Sequence, residues 1–76
     1  MRRYDLKFWR MRQGLTQSDV AAKLGISTGH YRGIENGRYD PSQKIINRFI
    51  DTFDVGLAGL EIIHNVKELF KKEEHD

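Results

Sequence analysis

Between Gln17 and Lys44 the chain gathers side chains suited to binding anions and reading polar edges. Gln17, Ser27, Thr28, His30, Arg32, Asn36, Arg38 and Lys44 supply amide, hydroxyl, imidazole, guanidinium and ammonium groups, and Gly29 and Gly33 interrupt them with bare backbone. Groups of these kinds hydrogen-bond phosphate oxygens and the edges of bases. Catalysis has no support, because no nucleophile, base and orienting group can be named together. His30, His64 and His75 have neither ligand spacing nor cysteine partners, so no metal is expected. Nothing points to a cofactor or a small-molecule ligand.

The elements that must position these residues are helices. Two short helices are punctuated by Gly25 at the corner between them, a layout that pushes one helix into a DNA major groove. The first helix is expected over about Asp5 to Gln13, with Asp5 as N-cap and Gly14 just past its end. Thr16 caps the second, and Asp19 three residues on completes a capping box. Val20, Ala21 and Leu24 form its inner face. Ser27 caps a third helix of about Thr28 to Glu35, stopped by Gly37, with Tyr31 and Ile34 pointing inward. A fourth follows Asp40-Pro41-Ser42, capped by Asp40 or by Ser42, with Ile45, Ile46, Phe49, Ile50 and Phe53 as its buried stripe. A fifth is expected from about 57 to 72. Nothing alternates long enough to read as a strand.

Seventy-six residues make one domain, with a core over 5–56 and the last helix beyond it. A core this small is marginal alone. The absence of cysteine removes disulfides and thiolate metal sites. No apolar run suits a bilayer, and the start of the chain does not read as a signal peptide, so a cytoplasmic setting is expected. The net charge of +2 conceals an asymmetry. Residues 1–48 hold ten Lys/Arg against four Asp/Glu, or +6, whereas residues 49–76 hold three against seven, or −4. A basic first part suits a polyanion.

The pattern Leu6-Lys7, Arg10, Gly14-Leu15-Thr16-Gln17, Asp19-Val20-Ala21, Leu24-Gly25-Ile26-Ser27, Tyr31, Ile34-Glu35-Asn36-Gly37-Arg38 and Pro41-Ser42 resembles the helix-turn-helix domain of phage repressors and Cro-like regulators over about residues 5–60. The resemblance implies an all-α, five-helix repressor-type domain with an extended C-terminal helix. It also implies that Gln17 at one edge, and Asn36, Gly37 and Arg38 at the other, clamp the DNA backbone, with Lys44 a further candidate. A buried Arg10–Glu35 ion pair, tying helix 1 to the end of helix 3, is implied as well.

Base readout is expected from Thr28, Gly29, His30, Arg32 and Gly33. Arg32 suits a guanine edge and Thr28 a thymine methyl. Each helical glycine costs roughly 1 kcal/mol relative to Ala. Gly29 and Gly33 therefore signal either close approach of backbone to the groove floor or weak specificity carried by phosphates and DNA shape.

A homodimer on a palindromic operator is expected, because one helix reads few base pairs. Leu57, Leu60, Ile62, Ile63, Val66, Leu69 and Phe70 spread over a wide arc of the last helix, and Leu60, Ile63, Val66, Leu69 and Phe70 are the interface candidates. Phe8 and Met11 are surplus apolar residues on helix 1. They meet a mate, or helix 5 folds back and covers them. The expected function is operator-like binding of double-stranded DNA by a non-enzymatic transcriptional regulator of phage or mobile-element type. A controller protein of a restriction–modification system, or an antitoxin-like module holding another protein on the C-terminal apolar face, are the alternatives.

Overall fold

The computed structural model describes residues 2–53 and 69–72. Among them the regular elements are four helices: α1 (Tyr4–Arg12), α2 (Gln17–Leu24), α3 (Thr28–Glu35) and α4 (Gln43–Phe53). The expected fifth helix lies almost wholly outside the described residues, as do Leu57, Leu60, Ile62, Ile63, Val66, His64 and His75. Its expected end is corrected, since Leu69 is helical, Phe70 turns and residues 71–72 are not helical.

Local chemistry sets the helix ends. The Thr16 hydroxyl accepts from the Asp19 N–H at 3.0 Å while the Asp19 carboxylate accepts from the Thr16 N–H at 2.8 Å, closing the capping box. Ser27 accepts from the His30 N–H at 3.1 Å and Ser42 from the Ile45 N–H at 3.2 Å. Ser42 is thus the cap of α4, with Asp40 and Pro41 before it. Asp5 is not the cap of α1: Arg3 holds that place without a side-chain bond, and Asp5 sits in the first turn, where a carboxylate suits the helix dipole. Gly14, Gly25 and Gly37 all have positive φ, which glycine adopts without the clash of a Cβ. At Gly37 this closes a Schellman turn, in which the Arg38 N–H reaches the Gly33 carbonyl at 2.8 Å and the Gly37 N–H reaches that of Ile34 at 3.2 Å.

The core contains Leu6, Val20, Ala21, Leu24, Tyr31, Ile34 and Phe49. In α4 only Phe49 is fully enclosed; Ile45, Ile46, Ile50 and Phe53 pack half-buried around it. Trp9 meets both Phe49 and Phe53 at 4.9 Å between ring centroids. Phe70 closes the cluster edge-on to Phe49 at 5.1 Å. Leu69 is 6 % exposed. Of the expected dimer-interface residues, Leu69 is therefore a core residue of its own chain, and Phe70 packs half-buried against that core, because burial beside Phe49 takes apolar surface out of water.

Arg3 fastens this tail. Its Nε donates to the Phe70 carbonyl at 2.8 Å, its Nη1 to the carbonyls of Ile34 at 2.6 Å and Tyr39 at 2.9 Å, and its Nη2 meets Asp40 Oδ1 at 2.7 Å. The residue is only 3 % exposed. Lys72 reaches the same Asp40 oxygen at 2.9 Å. No helix among the described residues is long and apolar enough to cross a membrane.

Candidate nucleic-acid interface

Helices α2 and α3 pack on each other across Gly25, and a 3.0 Å contact between the Ser18 and Thr28 hydroxyls joins their first turns. Tyr31 and Ile34 anchor α3 in the core. Along it Gly29 and Arg32 are exposed, and Thr28 and His30 are half-buried. Four of the five expected base readers are thus accessible.

Gly33 is not. This residue is buried, and a Cβ placed there would overlap Cδ2 and Cε2 of Tyr39. The close approach at this glycine is therefore that of a tyrosine ring, not of a groove floor, and Gly33 is removed from the set of residues able to touch a base. Gly29 differs, since a Cβ there would meet nothing within 4 Å. The same Tyr39 ring stacks on His30, with centroids 5.3 Å apart and planes at 17°.

A network ties α3 to the scaffold. Arg10 Nε donates to Glu35 Oε2 at 2.6 Å and Nη2 to Oε1 at 3.2 Å, and Nη1 reaches the Leu15 carbonyl at 2.8 Å. The Gln17 amide is held at both ends: its Nε2 donates to Glu35 Oε1, and its Oε1 accepts from Arg32 Nε, each at 3.2 Å. Burial pushes the Glu35 carboxyl up, but bonds from Arg10 and Gln17, with the Tyr31 hydroxyl close by, outweigh burial, and its pKa lies below the ordinary 4.5. The Tyr31 phenol is held un-ionised by burial and by the neighbouring carboxylate. Its hydroxyl is enclosed without a well-aligned partner.

A cleft of about 220 Å³ opens beside this network, lined by Arg2, Arg3, Tyr4, Lys7, Gln17, Arg32, Glu35 and Asn36. Arg10 neutralises the one carboxylate in its wall, so the cleft is cationic. Arg2 and Lys7 are exposed there and were not legible as site residues, because only the fold sets the start of α1 beside the start of α2. Asn36 turns its side chain back, Oδ1 accepting from the Arg38 N–H at 3.0 Å. Arg38 is exposed, its guanidinium carbon 5.8 Å from the Tyr39 ring centroid, and Lys44 is exposed near the start of α4.

A helix-turn-helix family model matches residues 6–60. The chain is also 40 % identical over 57 residues, 75 % of its own length and 86 % of the relative's, to an uncharacterised helix-turn-helix-type transcriptional regulator of Methanocaldococcus jannaschii. No solved structure matches. With the glycine corner, the capped α3 and the match over most of its length, this chain belongs to the Cro/C1-type helix-turn-helix family.

Proposed function

We propose that the protein is a transcriptional regulator that binds double-stranded DNA with α3 in the major groove. The observation that carries this reading is that Thr28, Gly29, His30 and Arg32 of α3 are accessible and that a cationic cleft, lined in part by Arg32, borders the helix. A groove filled by a helix needs side chains that reach base edges and cations that meet phosphates on either flank. Arg32 suits guanine, and Thr28 suits a thymine methyl. Arg2 and Lys7 at the cleft, with Arg38 just after α3 and Lys44 near the start of α4, supply phosphate contacts. The first-turn amides of α2 add a dipole that favours an anion.

The reading extends to repression in the manner of phage or mobile-element regulators, as a homodimer on a palindromic operator. Phe8 and Met11, 48 % and 56 % exposed on α1, support a mate, because they stay uncovered among the described residues.

Selection of bound sites from random duplex DNA tests the reading. A selected motif whose preference changes on Arg32→Ala supports it. Affinity that is insensitive to both sequence and salt opposes it.

A further inference from the structure

We propose that Tyr39 is a positioning residue for base readout, acting through His30, with Gly33 as its seat. This rests on the DNA-binding reading above.

The sequence places a glycine inside α3 at a cost in helix stability. Gly33 is not among the glycines with positive φ, so its backbone does not require glycine. Its requirement is steric, because the Tyr39 ring occupies the volume a Cβ would need. The Tyr39 backbone is fixed to the same residue, its N–H donating to the Gly33 carbonyl at 3.1 Å. A ring pinned to α3 in this way stands beside His30 in the near-parallel, offset arrangement that aromatic pairs favour.

A histidine free on a helix surface samples several rotamers, and binding must select one. The stack removes that freedom beforehand and presents the nitrogen edge of the imidazole in one direction. Tyr39 is 43 % exposed and lies outside the core, so it determines His30's orientation more than the fold's stability. His30 then reads a polar base edge as a fixed donor and acceptor, and Tyr39 sets which base pair that edge meets.

The test compares the full-length wild type with His30→Ala, Tyr39→Ala, Tyr39→Phe and Gly33→Ala, by site selection and by the NMR shifts of the His30 ring protons without DNA. His30→Ala and Tyr39→Ala should lose about tenfold in discrimination at the same base pairs, on the scale of one specific contact. Gly33→Ala, which displaces the ring, should follow Tyr39→Ala, and Tyr39→Phe should keep the wild-type preference. In the free protein, Tyr39→Ala and Gly33→Ala should move the His30 ring protons as the ring current is lost. Unmoved shifts, intact discrimination in Tyr39→Ala, or losses at different base pairs from His30→Ala would overturn the proposal. So would a uniform affinity loss in Tyr39→Phe, which would mark a phosphate contact by the hydroxyl. A wild type that selects no sequence removes the DNA reading itself, whereas a wild type that selects well beside an unaffected Tyr39→Ala removes only this inference.

Discussion

Arg10 and Glu35 form a buried, two-pronged ion pair across 25 residues of chain, with the shorter contact at 2.6 Å, and the amide of Gln17 shares the carboxylate. Removing one partner strands the other charge away from water. Such a break typically costs about 3–5 kcal/mol, against a total stability on the order of 5–10 kcal/mol for a domain this small. Glu35→Ala is therefore expected to unfold at much lower urea concentration than the wild type. An unchanged midpoint would show that the pair is not stabilising.

The same carboxylate makes stability fall in acid. Burial opposes ionisation of Glu35, but the bonds from Arg10 and Gln17, with the Tyr31 hydroxyl close by, win, so the folded pKa is depressed below 4.5. The unfolded chain then binds the proton more readily than the folded one. The contribution is complete above the unfolded value and is lost as pH drops through the folded one. Denaturation midpoints are expected to hold down to the ordinary glutamate range and to fall beneath it. Glu35→Gln should flatten that fall. Asp40→Asn should flatten it less: Lys72 and Arg3 depress the Asp40 carboxyl too, but it is exposed.

Arg3 should behave as a core residue despite its charge. Arg3→Met removes the donor from the carbonyls of Ile34, Tyr39 and Phe70. A buried acceptor left unpaired costs about 1–3 kcal/mol, so a loss of about 3 kcal/mol overall is expected in thermal melting. Arg3→Lys should restore less than half, because one ammonium cannot span the spread of a guanidinium fork.

Arg2 and Lys7 line the cleft beside α3 and are expected to meet phosphates. Each alanine substitution should weaken binding to all sequences alike. Each should also reduce the slope of log affinity against log salt by about 0.9 per lost contact. A changed sequence preference in either variant would place that residue at a base instead.

Gln17 is expected to affect more than the DNA backbone. Its carbonyl oxygen holds Arg32 Nε at 3.2 Å, so Gln17→Ala frees the guanidinium of the proposed base reader. Site selection should show the preference blurring at the same base pairs that Arg32→Ala affects, alongside the general weakening from a lost phosphate contact. A purely uniform weakening would show that Arg32 needs no such support.

The local half of this design was legible before the fold was known. Helix starts at Thr16 and Ser27, and stops at Gly14, Gly25 and Gly37, are written in residues whose side chains or φ freedom act within a few positions. The inward pair Tyr31 and Ile34 followed from periodicity alone. What escaped is long-range. Arg3 reads as one basic residue among many, since its partner Phe70 lies 67 residues away. Leu69 and Phe70 read as dimer-interface candidates for the same reason. The bond of Tyr39 with Gly33 and His30 had a faint signal, an aromatic residue just after a helix-stop glycine with an unexplained glycine inside the helix, but only the turn at Gly37 brings those rings together.

Three of the four bonds made by the Arg3 guanidinium go to main-chain oxygens. A knot tied to the backbone is blind to the identity of the residues it holds. The exposed side chains of α3, such as Arg32, can vary while the knot stays closed. The scaffold is therefore suited to retargeting: new specificities can be grafted onto α3 with the same clasp beneath them.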